Sequence, residues 1–269
     1  MSRAPAPAKI NLALVVGPLR DDGKHEVLTA LQRIDLVDRI SVEPSAGAIA
    51  VSGFADDTIV RRALDLLEAP HGWRVHIDKR IPLAAGLGGG SSDAATALRL
   101  ANTQLARPLP LAELHDLAAT VGADVPFFLH DGPQLGTGTG SDLEPVELPQ
   151  DFVVLLVEPG GAAKESTAAV YAAFDAREGA AGFDERAAVL RASLATVERP
   201  RDLAALPAND LASSPLADRL RTLGSFRADV SGAGPAVYGL FHRRADAQRA
   251  RRALGGGGRS WITVPAWYG

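Results

Sequence analysis

The 269-residue chain contains no cysteine, which excludes disulfides, cysteine-bound zinc and thiol nucleophiles. It also lacks an apolar run near the roughly 18 residues of a membrane helix, since the stretch at residues 10–16 ends at Gly17 and Pro18. The formal net charge of −4 gives no basic field to attract nucleic acid. We therefore expect a cytoplasmic protein with a small-molecule partner, without nucleic acid or membrane. Nothing in the sequence indicates the oligomeric state.

Hydrophobic residues make up 46% of the chain and charged residues 22%, as in ordinary folded domains. Apolar residues at residues 10–16 and 152–157 predict buried strands, and the alternation at residues 73–78 predicts a strand with one buried face. Helices are predicted from Ser91 or Ser92 onward and over residues 111–121. The mixture lacks strict strand–helix alternation, which favours an α+β fold. A shift in composition predicts two domains, residues 1–150 and 151–269.

A glycine-rich loop lies between the predicted strand at residues 73–78 and the helix that follows it. Glycines allow the backbone to approach an anion closely, and the first turn of a helix offers unpaired N–H groups. The pattern therefore predicts an anion site suited to the phosphates of a nucleotide. The loop comprises Pro82, Leu83, Ala84, Ala85, Gly86, Leu87, Gly88, Gly89, Gly90, Ser91 and Ser92.

This loop differs from the common nucleotide-binding signatures. No lysine follows its glycines as in a Walker A loop, and the spacing of a dinucleotide fingerprint is absent. A second glycine-rich segment at residues 132–140 follows no clear strand and is predicted to be a loop. No nucleophile elbow or metal-spaced histidines support a hydrolase.

Three further elements have a structural interpretation and a functional one. Lys9 precedes an apolar strand, where its stem could simply lie along the surface. Asp124 follows the helix at residues 111–121 and could cap the next turn. The turn at residues 231–234 could be part of a hairpin. Each is also suited to phosphoryl transfer, which needs a base and charge neutralisation.

The order of these elements resembles the GHMP kinase superfamily. The resemblance rests on residues 5–12, which contain Lys9, on the loop at residues 82–92, on residues 122–126, and on the turn at residues 231–234. It implies an N-terminal domain like ribosomal protein S5 domain 2 and a ferredoxin-like C-terminal domain, with ligands in the cleft between them.

The resemblance also implies roles for residues. Asp124 would take the proton of the acceptor hydroxyl, and Lys9 would keep that carboxylate ionised. The loop at residues 82–92 would hold the phosphates of ATP together with Mg²⁺, which Ser92 is expected to contact. The floor of the cleft would be Ser231, Gly232, Ala233 and Gly234.

The acceptor end departs from the members that the chain most resembles. Those members carry a Gly-Tyr-His triplet whose aromatic ring stacks on a cytosine, whereas this chain has Gly23, Lys24 and His25. Tyr171 stands where a second stacking aromatic is expected, and the segment at residues 159–167 also differs. Lys24, His25 and Tyr171 are therefore predicted to bind the acceptor.

Three functions remain open from the sequence. The acceptor pocket is either rebuilt around a cytidine-containing substrate or adapted to another small hydroxylated acceptor. A non-catalytic ligand-binding protein on the same scaffold is the third possibility, and the presence of both Lys9 and Asp124 argues against it.

Overall fold

A computed structural model describes residues 1–54, 59–161 and 166–266 of the chain. Its first half forms a six-stranded sheet in the order β3-β4-β2-β5-β6, with β1 paired to β2. The strands are β1 Ser2–Leu19, β2 His25–Ser45, β3 Ala50–Ser52, β4 Gly72–Asp78, β5 Gln134–Thr137 and β6 Asp142–Pro145. The helices of this half are α1 Ile59–Asp65, α2 Gly89–Asn102 and α3 Leu111–Val121, followed by a 3-10 turn at Pro126–Leu129.

The second half forms a four-stranded antiparallel sheet in the order β10-β7-β9-β8. Its strands are β7 Val153–Pro159, β8 Arg227–Val230, β9 Val237–Phe241 and β10 Gly258–Thr263. Its helices are α4 Thr167–Ala176, α5 Phe183–Leu194, α6 Pro215–Thr222 and α7 Arg244–Leu254, with a 3-10 turn at Pro200–Ala205. In the part of the chain that the structure describes, no helix is both long and apolar enough to cross a membrane.

Burial explains why these strands form where the pattern predicts them. In β4 the alternating residues Trp73, Val75 and Ile77 are buried, and their neighbours face outward. By contrast, β7 is buried along almost its whole length because one face packs in the core shared with the first sheet and the other face packs beside helix α7. Strands β1 and β2 pair antiparallel over nearly their full length, which places Lys9 in the middle of a long strand pair.

Helix α2 begins differently from the prediction. Its N-cap is Gly88, in a left-handed conformation with φ 67°, and no side chain caps it. The predicted cap at Ser91 or Ser92 is therefore wrong, because both serines already lie inside the first turn. The apolar spacing predicts an inner face made of Ala94, Ala97, Leu98, Ala101 and Leu105. The first four are buried in α2, whereas Leu105 lies beyond the end of the helix at Asn102.

Other predictions had mixed outcomes. Helix α3 has the predicted bounds, and Gly122 ends it. The predicted loop at residues 132–140 is partly wrong because β5 pairs with both β2 and β6 there. Helix α6 and strand β8 had not been predicted. The spacing of apolar residues predicts a further helix over residues 57–67, capped by Asp56 or Asp57. Helix α1 lies within that range, and the two aspartates lie outside the described residues.

The two sheets share one hydrophobic core. Ala8 and Ile10 of the first sheet belong to the same buried cluster as Leu156 and Tyr238 of the second. The prediction of an α+β fold is confirmed. The predicted boundary at residue 150 falls between β6 and β7 and stays a prediction. The shared core also contains Ala85 and Leu87 of the glycine-rich loop and Ala236, just after the turn at residues 231–234. It therefore holds together β1, this loop and the start of β9, next to the candidate site.

A cluster of three ionisable side chains is buried at the start of α2. Lys79 Nζ donates to Asp38 Oδ2 at 2.6 Å and to Asp93 Oδ2 at 2.7 Å. Burial, together with the nearby Asp38, raises the pKa of Asp93 to about 8 against the opposing effect of Lys79. Burial disfavours the Lys79 ammonium, but the two carboxylates outweigh it and raise its pKa.

This cluster predicts a pH dependence of stability. Between pH about 4 and about 8, folded Asp93 keeps a proton that the unfolded chain has lost, so its contribution to stability falls as pH rises. Asp93→Asn removes that contribution. Across this window, the unfolding free energy of the wild type relative to the variant should fall by at least about 1 kcal/mol, measured by urea unfolding at several pH values. Parallel pH profiles for the two proteins would contradict the prediction.

Candidate active site

The loop at residues 82–92 separates two cavities. The first cavity, of about 440 Å³, is lined by Phe54, Ile59, Lys79, Thr167 and the loop itself. The second cavity, also about 440 Å³, lies on the other side of the loop, and Lys9, Asp124, Tyr171 and Gly232 are among its lining residues. Ala84, Gly86, Gly88 and Ser91 of the loop line both cavities, as does Thr167. A group bound in either cavity would therefore contact the same segment of backbone.

Two glycines of the loop occupy positions that a larger residue would not fit. Gly86 has φ 79°, and a Cβ atom there would lie 2.0 Å from the backbone oxygen of Ser231. Gly88 has φ 67°, and a Cβ atom there would lie 3.0 Å from the Phe128 ring and 3.1 Å from the Lys9 stem. The glycines thus give the loop its left-handed turns and its close contact with the second half of the chain.

The two serines after the glycines have different surroundings. Ser91 lines both cavities. Ser92 is completely buried, and its hydroxyl has no hydrogen-bond partner among the described residues. The predicted contact of Ser92 with a metal therefore stays a prediction, and Ser91 has the more accessible hydroxyl. The described residues contain no group of three or more His, Asp or Glu side chains able to hold a metal by themselves.

Lys9 and Asp124 face each other at the second cavity. Lys9 Nζ lies 3.4 Å from Asp124 Oδ2, and the lysine side chain is 4% exposed while the carboxylate is 41% exposed. Lys9 Nζ also donates to Asn11 Oδ1 at 2.6 Å, and Asn11 Nδ2 donates to Thr29 Oγ1 at 2.8 Å. This chain of contacts fixes a buried ammonium next to an accessible carboxylate, as a general base requires.

The turn at residues 231–234 closes the second cavity from the other half of the chain. Ser231 Oγ donates to the Gly86 carbonyl at 2.9 Å, and Gly232 lies close to Lys9 Nζ. Asn209 fixes the turn, because its Nδ2 donates to the carbonyls of Val230 and Gly232 at 3.0 and 2.7 Å. The sequence does not predict a role for Asn209, Asn11 or Thr29. The last two are polar residues within buried strands, and that is the one signal that could have indicated them.

The predicted acceptor residues separate into two groups. Tyr171 lines the second cavity, and burial together with Asp124 raises the pKa of its hydroxyl to about 12, so it stays protonated at neutral pH. His25 stacks on Tyr171 with ring centroids 4.9 Å apart. The Nδ1 of His25 donates to the Gly17 carbonyl at 2.8 Å, and Nε2 lies 3.4 Å from Asp175. His25 thus supports Tyr171 from behind.

Lys24 is exposed in the turn between β1 and β2 and lines neither cavity. Its backbone N–H donates to Asp22 Oδ1 at 3.0 Å, which fixes the turn. The structure therefore does not bring Lys24 together with Tyr171 in the cavity wall. Lys164, in the other departing segment, lies outside the described residues.

The close contact at Gly86 predicts a selective effect of Gly86→Ala. The variant combines a left-handed φ with a collision against Ser231, whereas Gly132→Ala has φ 70° with nothing within 4 Å. We expect Gly132→Ala to cost roughly 1–2 kcal/mol of stability. Gly86→Ala should cost more and should also reduce activity at least tenfold. Thermal unfolding measures the loss of stability, and a turnover assay measures the loss of activity. Equal losses of stability and activity in Gly86→Ala and Gly132→Ala would contradict the prediction.

Family models match both halves of the chain. The model for the GHMP kinases N terminal domain matches residues 58–132, and the model for GHMP kinases C terminal matches residues 202–259. Among curated relatives, the 4-diphosphocytidyl-2-C-methyl-D-erythritol kinase of Anaeromyxobacter sp. (strain Fw109-5) is 39% identical, covering 93% of this chain and 85% of the relative. A kinase of that name from Thermus thermophilus is 38% identical, covering 95% of this chain and 94% of the relative.

A solved structure agrees with these matches. A crystal structure of 4-(cytidine 5'-diphospho)-2C-methyl-D-erythritol kinase is 33% identical, covers 98% of this chain and 99% of its own, and superimposes with a TM-score of 0.77. The sequence motifs, the two sheets and the facing Lys9 and Asp124 are consistent with these similarities. The chain belongs to the GHMP kinase family.

Proposed function

We propose that this chain is an ATP-dependent kinase that phosphorylates the 2-hydroxyl of 4-diphosphocytidyl-2-C-methyl-D-erythritol, in isoprenoid precursor synthesis. The observation that carries the proposal is the pair of Lys9 and Asp124, 3.4 Å apart, beside a glycine-rich loop with a cavity on each side. The names of the relatives supply the substrate, since several 34–39% identical kinases act on that compound by name.

The first cavity suits the nucleotide. Gly89 and Gly90 line it, and they form the first turn of α2, whose free N–H groups and helix dipole favour phosphate. Pro82 and Leu83 line only this side, where they offer apolar contact to a base or ribose. With the phosphates on the loop, the terminal phosphate would lie near the residues that both cavities share.

The second cavity suits the acceptor. An acceptor hydroxyl beside Asp124 would give its proton to the carboxylate as the oxygen attacks the terminal phosphorus of ATP. The new O–P bond forms while the bond between that phosphorus and the bridging oxygen breaks, and ADP leaves with the electron pair. Lys9, whose Nζ lies 3.4 Å from Asp124 Oδ2, would offset the negative charge on the attacking oxygen during the transfer.

The chain's residues fit a Mg²⁺ that arrives with the nucleotide. Magnesium normally keeps several waters and uses one or two protein ligands plus phosphate oxygens, so a cage of carboxylates is not needed. Ser91, which lines both cavities, is the residue of the loop that would contact it, whereas Ser92 is completely buried and lines neither cavity. The ion supplies neutralisation of phosphate charge when it is bound.

The proposed base gives a direct test. Asp124→Asn keeps the shape of the side chain but cannot take a proton, so kcat should fall by about 10²–10⁴. Lys9→Met removes the ammonium and should lower kcat by about 10²–10³. A coupled assay of ADP release with Mg-ATP and the cytidylyl acceptor measures both.

The matched control is Asp116→Asn, because Asp116 is an exposed carboxylate on α3 that lines neither cavity. Its kcat should equal that of the wild type. If the wild type and Asp124→Asn are equally inactive with every acceptor offered, the chain is not a kinase. If Asp124→Asn retains more than a tenth of wild-type kcat, another group is the base.

The Tyr171 ring in the lining of the second cavity predicts that its removal weakens binding of the acceptor and not of ATP. Tyr171→Ala removes the ring that lines the second cavity, so KM for the cytidylyl acceptor should rise about 5- to 150-fold, the range expected for one stacked base. Tyr171→Phe keeps the ring and should differ less than threefold. Steady-state kinetics with the acceptor and with ATP measure both effects.

The KM for ATP serves as the internal control and should stay within twofold in both variants. Wild-type turnover of a different hydroxylated acceptor, with none of the cytidylyl compound, would overturn the assigned substrate and leave the kinase assignment in place. An unchanged acceptor KM in Tyr171→Ala would mean that the base binds elsewhere.

A further inference from the structure

The two ends of the glycine-rich loop meet at one buried charge cluster. On the entry side, Asp38 Oδ1 accepts hydrogen bonds from the backbone N–H groups of Arg80 and Ile81, the two residues before Pro82. On the exit side, Asp93 directly follows Ser92. Lys79 Nζ bridges the two carboxylates at 2.6 and 2.7 Å. A single ammonium thus ties the start of the loop to its end.

We propose that Asp38, Lys79 and Asp93 act as a clamp that positions the loop for ATP, and that Asp38 and Asp93 are positioning residues rather than ligands. The inference rests on the proposed function, because it takes the first cavity to be the ATP site. The rest of the loop has its own supports: Lys9 N–H donates to the Leu87 carbonyl, and Ala236 N–H donates to that of Ala85.

The burial of Asp38 and Asp93 argues that they position the loop and do not contact a bound nucleotide directly. Asp38 is 0% exposed and Asp93 is 1% exposed, and neither lines a cavity. Their substitution can reach a bound nucleotide only through the backbone or through Lys79. Lys79 lines the first cavity alone, with Nζ only 3.1 Å from where a Cβ of Gly89 would lie. The clamp therefore supports the side of the loop that faces the first cavity.

Asp38 and Asp93 differ in the hydrogen bonds that they make. Asp38 accepts from two backbone N–H groups with one oxygen and from Lys79 with the other. An asparagine there leaves one of these donors facing an NH₂ group, whichever way the amide is turned. Asp93 accepts from Lys79 through Oδ2 and shares a side-chain hydrogen bond with Asp38, and its Oδ1 has no partner among the described residues. An asparagine at position 93 can still accept that bond through its carbonyl oxygen.

These differences predict a pattern across variants. Asp38→Asn should raise the Kd for a non-hydrolysable ATP analogue with Mg²⁺ at least tenfold. Asp93→Ala should raise it at least fivefold, whereas Asp93→Asn should stay within twofold of the wild type. The KM for the acceptor should change less than threefold in all of them, because the Ser231 turn supports the other side of the loop. Titration calorimetry and steady-state kinetics measure these values.

Two controls separate a clamp from general destabilisation. Leu220→Ala, in the core of the second half, should lower the melting temperature and leave the Kd for the analogue unchanged. Asp246→Asn makes the same Asp-to-Asn change at a surface ion pair, and it should change neither the melting temperature nor the Kd for the analogue. Should Asp38→Asn fail to fold, the contrast between Asp93→Ala and Asp93→Asn still tests the clamp.

The possible outcomes distinguish a failure of the proposed function from a failure of the clamp. If the wild type does not bind the ATP analogue, the proposed function fails. If the wild type binds it and Asp93→Ala binds equally well, the clamp is overturned while the kinase assignment stands. The clamp is also overturned if Asp93→Asn and Asp93→Ala weaken binding equally, since the hydrogen bond from Lys79 would then be irrelevant.

Discussion

The site depends on the contact between the backbone of the glycine-rich loop and the turn at residues 231–234. Gly86 approaches Ser231 so closely that no side chain would fit between them, and the Ser231 hydroxyl donates to the Gly86 carbonyl at 2.9 Å. This contact joins the two halves of the chain beside the two cavities. Because the close approach is made between backbones, its geometry is set by folding and does not need a ligand to form.

The candidate catalytic pair owes its properties to unequal burial. Lys9 lies under the loop in the middle of β1, where its ammonium is compensated by Asn11 and Asp124. A buried ammonium without such partners would be costly, so its contacts hold it in one place. Asp124 stands just after α3, where the chain turns into the segment Pro126–Leu129, and keeps one side open to the cavity. The ammonium of Lys9 is thereby fixed, and the carboxylate of Asp124 is accessible from the cavity.

The sequence predicted the parts of the site that have local signals. The glycines, the helix after them and the bend at Asp124 are each recognisable from a few neighbouring residues, and the family resemblance placed them in order. The supports of the site have no such signal. Asn209, Asp38 and Thr29 act on groups far away along the chain, so their roles follow from tertiary packing and strand pairing. The wrong cap at Ser91 or Ser92 has a similar cause, since the left-handed cap at Gly88 is packed against Phe128, which is distant in sequence.

Lys24 does not shape the second cavity. The family resemblance leads us to expect an aromatic residue at this position, and the lysine lies in an exposed turn away from the cavity lining. His25 next to it is anchored to the Gly17 carbonyl and covers one face of Tyr171. A stacked ring pair of this kind has lost its freedom before a ligand arrives, which lowers the entropic cost of binding a flat base against it. The aromatic surface of the second cavity is therefore built from Tyr171 with His25 behind it, and Lys24 has no part in forming it.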